Sequence, residues 1–120
     1  MSKIVVLDYG SSNLRSVAKA LETVANSGQS IAISNHPNEI LKADKVVFPG
    51  QGAIGQCMTH LKEQKLEEVI RECILNKPFL GICLGLQSLM EHSDEDGGIS
   101  GLGVLPGNVI RFTDNQIDEN

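Results

Sequence analysis

The chain has 120 residues, a formal net charge of −5 and 41% hydrophobic side chains, which suits one domain with one modest core. Its basic residues do not cluster, and three Phe with one Tyr make no stacking platform, so nucleic-acid binding is not expected. No apolar run approaches a membrane span, Met1-Ser2-Lys3 opens without a signal-peptide pattern, and three cysteines in no scaffold spacing predict reduced thiols in a cytoplasmic protein.

Ile4-Val5-Val6-Leu7 is a continuous apolar run, the pattern of a strand buried on both faces. Asp8-Tyr9-Gly10-Ser11-Ser12 follows as a turn of small and capping residues. Leu14, Val17, Ala18, Leu21, Val24 and Ala25 then recur at helical spacing, with Arg15, Lys19 and Glu22 facing out and Gly28 placed to stop the helix. Ile31-Ala32-Ile33 predicts a second strand, and Pro37, Ile40 and Leu41 a brief helical turn. Lys45-Val46-Val47-Phe48 predicts a third strand, closed by Pro49-Gly50-Gln51-Gly52. Two apolar stripes, Ile54, Cys57, Met58 and Leu61, then Leu66, Val69, Ile70, Cys73 and Ile74, predict a helical region in two pieces, stopped by Asn76-Lys77-Pro78.

Phe79 to Ile82 reads as a short strand and Leu84 to Glu91 as a helix. Beyond Met90 the stretch 92–98 is a polar loop, 101–107 is punctuated by Gly and Pro, Asn108 to Phe112 alternates as a strand, and 113–120 is a frayed acidic end. No repeat or linker divides residues 1–120, which read as one domain. Strands alternating with helices imply right-handed crossovers and an α/β fold, a parallel doubly wound sheet with helices on both faces.

Cys83 stands where the fourth strand turns into a helix, with Gly81 and Gly85 two positions away on either side. This is the strand–nucleophile–helix elbow with cysteine in place of serine. A residue on so sharp a turn needs neighbours without side chains, so that strand and helix can approach. The first N–H groups of the helix, and its dipole, would stabilise negative charge on the sulfur. A lone cysteine on a strand is more often packing; the paired glycines and the change of element favour a reactive residue. Ligands on parallel sheets bind beyond the carboxyl ends of the strands, and Asp8-Tyr9-Gly10, Pro49-Gly50-Gln51-Gly52 and Cys83 all fall there.

The glycine-rich 49–52 segment is either a plain turn or a source of backbone N–H groups for an oxyanion, with the N–H of Leu84 as the natural second donor. Cys57 and His60 are spaced i, i+3, but two ligands are not a metal site, and Cys57, like Cys73, belongs to an apolar stripe. No metal is therefore expected. His36, His60 and His92 are the candidates to activate Cys83. None is expected at the elbow: His92 lies past the elbow helix, and His36 and His60 lie away from the carboxyl end of that strand.

Gly81-Ile82-Cys83-Leu84-Gly85-Leu86-Gln87 resembles the G-x-C-x-G-x-Q elbow of class I (triad) glutamine amidotransferases. Three further stretches, Asp8 to Val17, Phe48 to Ala53, and Gly101 to Phe112, resemble one branch of that family, the glutaminase subunits of imidazole glycerol phosphate synthases. The resemblance covers almost the whole chain. It implies a flavodoxin-like sheet, and hydrolysis of glutamine to glutamate and ammonia through a Cys83 thioester, with no cofactor. It implies further that Gly50, Gln51, Gly52 and Leu84 supply the oxyanion strand and its donors, and that Gln87 binds glutamine. Asn13 would face a (β/α)8 cyclase subunit, joined as a heterodimer, to which ammonia passes for histidine biosynthesis. Gln51 stands where many relatives carry Val, and only its backbone is needed.

The family's general base is a His in an H-x-E pair well beyond the elbow, and no H-x-E occurs in these 120 residues. The sequence therefore resembles the amino-terminal part of such an enzyme, with a sheet incomplete at its carboxyl-terminal end, exposed edges and no turnover of its own. Two other readings stand beside it: a non-catalytic module that binds the cyclase near Asn13 and Gln51, and another amidotransferase branch of the anthranilate or GMP synthase type. The first loop and Pro106-Gly107 argue against the latter.

Overall fold

The apolar run at the amino end forms the central strand β1 (Ser2–Leu7) of a computed structural model that describes residues 2–10 and 13–113. With β2 (Gln29–Ser34), β3 (Lys45–Phe48) and β4 (Phe79–Gly81) it makes a parallel sheet in the order β2-β1-β3-β4. Val5 pairs with Ala32 on one side and Val46 on the other, and Val47 pairs with Leu80. The chain leaves β1 toward β2 and returns across β1 to β3. The sheet therefore switches direction between β1 and β3, and the loops after those two strands flank the crevice where such sheets bind ligands.

The helices are α1 (Leu14–Val24), α2 (Pro37–Lys42), α3 (Ile54–Glu63), α4 (Glu67–Asn76) and α5 (Leu84–Gln87). Strand residues alternate between two cores, as a period of two requires. Ile4, Val6 and Val47 pack with Leu14, Val17 and Leu21 of α1. Val5, Leu7, Val46 and Phe48 pack with Ile40, Leu61 and Ile70 of α2, α3 and α4. Helices thus cover both faces. The break between α3 and α4 falls at Lys65, whose φ is +58°, so the two apolar stripes are two helices as expected.

Four expectations need correction. The elbow helix stops at Gln87 instead of running to Glu91. The N–H groups that would extend it go elsewhere: Leu89 and Met90 reach back only three residues, to Leu86 at 3.1 Å and Gln87 at 3.2 Å, and Glu91 N–H donates to the Gly107 carbonyl at 3.0 Å. α1 stops at Val24, short of Gly28, because Ala25 takes an extended conformation (φ −71°, ψ 150°), and Val24 in the last turn is exposed. The 92–98 loop contains β5 (His92–Ser93), which pairs with β6 (Ile99–Ser100) and β7 (Asn108–Val109) in a small second sheet. That pairing also shortens the strand expected over 108–112 to its first two residues. The frayed end beyond Thr113 lies outside the described residues, as do Ser11 and Ser12 of the first loop.

Lys77, just after α4, ties that helix to α2. Its ammonium donates to the carbonyls of Leu41 and Ala43, the latter at 2.7 Å, at the carboxyl end of α2. Hydrogen bonds to a charged group are worth about 1.5–3 kcal/mol net. Lys77→Met keeps the aliphatic stem and loses these bonds. A loss of about 2 kcal/mol in urea unfolding is expected, and an unchanged midpoint would show the cap to be idle.

Candidate active site

Cys83 has φ +52° and ψ −117°, a conformation that costs a non-glycine residue of the order of 1–3 kcal/mol. Three backbone bonds hold it there. Ile82 N–H donates to the Phe48 carbonyl at 2.9 Å, Gly85 N–H to Ile82 at 2.9 Å, and Gln87 N–H to Cys83 at 3.0 Å. The two glycines are needed for the reason expected. A Cβ on Gly81 would sit 3.1 Å from the Leu86 backbone, and one on Gly85 would overlap the Phe48 carbonyl oxygen. The thiol is exposed at the carboxyl edge of the sheet. α5 is a single turn, so its dipole at the sulfur is that of one turn and not of the longer helix expected.

The other two cysteines are buried core residues. Burial pushes the Cys57 thiol up to about 11 and raises Cys73 in the same direction. Both thiols stay protonated at pH 8 and out of reach of solvent. Limiting iodoacetamide at pH 8 should therefore label Cys83 first, by peptide mass mapping. Preferential labelling of Cys57 or Cys73 in folded protein would overturn the elbow assignment.

The three loops meet. Tyr9, from the loop after β1, packs edge-on to Phe48 at 5.5 Å. A Cβ on Gly50 would strike the Tyr9 hydroxyl and come within 3.2 Å of Leu84 Cβ. Leu84 N–H donates to the Gly50 carbonyl at 3.3 Å. That N–H is thus engaged by a carbonyl of the 49–52 segment. Gln51 is exposed, and Gly52 has φ +104° with open space around its Cβ, so its conformation and not crowding demands glycine.

Gln87 is half-buried one turn beyond Cys83, and lines a cavity of about 450 Å³ with Asp94, Glu95, Asp96 and Arg111. That acidic group went unnoticed in the sequence, where it read as a polar loop; its only signal was three consecutive acids. Asn13 stands just before α1 with φ +68°, makes no side-chain bond to the helix end and is exposed in the first loop.

His60 departs from expectation. Its Nδ1 would lie 3.1 Å from a Cβ on Gly10, and it lines a cavity of about 230 Å³ with Tyr9, Gln51 and Leu84. Cys57 and His60 share one stripe of α3, and Gln64, the residue that closes the helix, donates from Nε2 to the Tyr9 carbonyl at 2.9 Å, so this side of α3 runs along the first loop. His36 follows β2, three strand spacings or about 14 Å from β4. His92 lies in β5, with Nδ1 4.0 Å from Asp94 Oδ1. Among the described residues no group of three or more His, Cys, Asp or Glu could hold a metal, and no helix is long and apolar enough to cross a membrane.

A parallel sheet switching direction between β1 and β3, with a strained cysteine elbow beside a glycine-rich loop, is the arrangement of an amidotransferase. The sequence matches the class-I glutamine amidotransferase family over residues 5–111, and the chain belongs to that family. It is 50% identical over 115 residues to the imidazole glycerol phosphate synthase subunit HisH of Chromobacterium violaceum, covering 96% of this chain and 54% of the relative. The HisH subunit of Methylococcus capsulatus is 50% identical over 112 residues, covering 93% and 51%, and that of Nitrosococcus oceani 53% over 112 residues, covering 93% and 53%. The chain spans about half the length of these curated relatives.

Proposed function

We propose that residues 1–120 are the nucleophile-bearing amino-terminal part of a cytoplasmic HisH-type glutaminase domain, working with a (β/α)8 cyclase subunit in histidine biosynthesis. Cys83 Sγ attacks the side-chain amide carbon of glutamine. A base outside these residues takes the thiol proton and returns it to the nitrogen as the C–N bond breaks, so that ammonia leaves, and water hydrolyses the glutamyl thioester to glutamate and restores the thiol. The observation that carries this reading is the hydrogen bond from Leu84 N–H to the Gly50 carbonyl beside an exposed, strained Cys83. Turning the peptide between Gly50 and Gln51 replaces that carbonyl with the Gln51 N–H, giving two donors for the tetrahedral oxyanion. Gly50, which adjoins that peptide and has no Cβ, supplies the freedom for the turn.

Glutamine carries an ammonium and a carboxylate, and the cavity beside Gln87 offers acids and Arg111 to both. Asn13, on the same edge, faces the cyclase, and ammonia passes to it across that edge. The test joins this chain to the carboxy-terminal half of the Chromobacterium violaceum relative and measures glutamate release with and without a cyclase subunit. Cys83-dependent turnover that rises at least about 100-fold with the cyclase is expected, the size of effect of one oxyanion donor. Equal turnover with and without it would point to a free-standing glutaminase, and turnover insensitive to Cys83→Ala would refute the site.

A further inference from the structure

Tyr9 follows β1 by two residues and is only 2% exposed. Its place is fixed from three sides. Its carbonyl accepts from Gln64 Nε2 at 2.9 Å, its ring stands edge-on to Phe48 at 5.5 Å, and its hydroxyl faces the sulfur of buried Cys57. The phenolic oxygen fills the space that a Gly50 side chain would need. It therefore stands against the α-carbon on which the peptide between Gly50 and Gln51 pivots.

The partner that the hydroxyl now has is a weak one. Tyr9 and Ser88 both hydrogen-bond to the Cys57 sulfur, and sulfur is a poor acceptor, so the O–H gives up little in exchange for a carbonyl. The Gly50 carbonyl needs that exchange. It accepts from Leu84 N–H at 3.3 Å, and the turn that brings the Gln51 N–H to the oxyanion breaks this bond. A carbonyl left without a donor carries its desolvation penalty, which weighs against the turned peptide. The cavity of about 230 Å³ bounded by Tyr9, Gln51 and Leu84 gives the carbonyl room to swing. Of the other polar side chains around it, Gln51 turns with the peptide, Gln56 is exposed, and His60 packs against Gly10. Among these side chains Tyr9 is the one that is buried, fixed and in contact with Gly50.

We propose that Tyr9 is a positioning residue for the hydrolysis of the amide: its hydroxyl passes from the Cys57 sulfur to the Gly50 carbonyl as the 50–51 peptide turns, and so stabilises the conformation that receives the oxyanion. The proposal deepens the catalytic reading above and rests on it. A donor already held by the fold needs no ordering at the moment of the turn. Tyr9 acts on the reaction only through the Gln51 N–H.

The test uses this chain joined to the carboxy-terminal half of the Chromobacterium violaceum relative, with a cyclase subunit present. Tyr9→Phe keeps the ring against Phe48 and removes the hydroxyl alone. It should lower kcat for glutamine at least about tenfold, the loss of one buried hydrogen bond in the turned state. KM should change less than about twofold, since the group lost acts after glutamine is bound. Cys83 should react with iodoacetamide at the parent rate, because alkylation builds no oxyanion, and this also shows that the variant is folded. An unchanged kcat in Tyr9→Phe would overturn the proposal. So would a fall in kcat matched by slower alkylation, since Tyr9 would then merely hold up the elbow. Parent protein without Cys83-dependent turnover would overturn the catalytic reading and the proposal together, whereas Cys83-dependent turnover indifferent to the hydroxyl overturns the proposal alone.

Discussion

Folded protein consisting of these 120 residues is expected to release no glutamate from glutamine above a Cys83→Ala control, with or without a cyclase subunit. A nucleophile–base pair acts as a unit, and in one protease losing one member costs nearly as much as losing all, on the order of 10⁶ in rate. The nucleophile and its strained turn are in place. Of the three histidines, His36 follows β2, the edge strand farthest from β4, and His92 lies in the second sheet beside Asp94. His60 alone shares a cavity with Leu84 and Gln51, where it packs against Gly10. It is therefore the residue to check. Cys83-dependent turnover that His60→Ala abolishes would make His60 a working base and overturn the expectation; turnover that survives His60→Ala would overturn it by another route. Limited alkylation of Cys83 in the same preparation separates a missing base from a missing fold.

The elbow was legible because its two glycines flank Cys83 at two residues' distance; the clash Gly81 avoids is with the Leu86 backbone close by in sequence, whereas Gly85 avoids the Phe48 carbonyl of β3, which only the fold reveals. The two faces of β1 were legible for a similar reason, since a run with no polar residue leaves no side to expose. What the sequence hid was competition between distant segments. Leu84 to Glu91 has the pattern of two helical turns, yet Glu91 N–H donates to the Gly107 carbonyl instead of to Gln87, and nothing within the run announces that. The same pairing explains how His92–Ser93 becomes a strand inside a stretch that reads as loop. His60 was misplaced because its position depends on which stripe of α3 meets the first loop. The bond from Gln64 to the Tyr9 carbonyl, 55 residues apart in sequence, settles that.

The geometry of the elbow also orders the cost of adding one methyl group at three glycines. In Gly85→Ala the new Cβ overlaps the Phe48 carbonyl oxygen, and that oxygen is itself held by Ile82 N–H at 2.9 Å. Neither partner is the end of a flexible side chain, so β3 and the first turn of α5 must separate. Overpacking of this kind costs about 3 kcal/mol or more, a large part of the 5–15 kcal/mol that typically holds a domain together. In Gly81→Ala the Cβ lies 3.1 Å from the Leu86 backbone, a tight contact that a small shift relieves, for about 1 kcal/mol. In Gly28→Ala nothing lies within 4 Å and φ is not positive, so the change should fall within about 0.5 kcal/mol of the parent. Urea midpoints should rank Gly85→Ala well below Gly81→Ala, and Gly81→Ala below Gly28→Ala. The Cys83 alkylation rate should fall with Gly85→Ala alone, measured at urea concentrations where that variant remains folded, because only there does the strand-to-helix turn open. Equal midpoints for Gly85→Ala and Gly28→Ala would mean that helix and strand do not approach closely at Cys83, and the elbow would have to be abandoned.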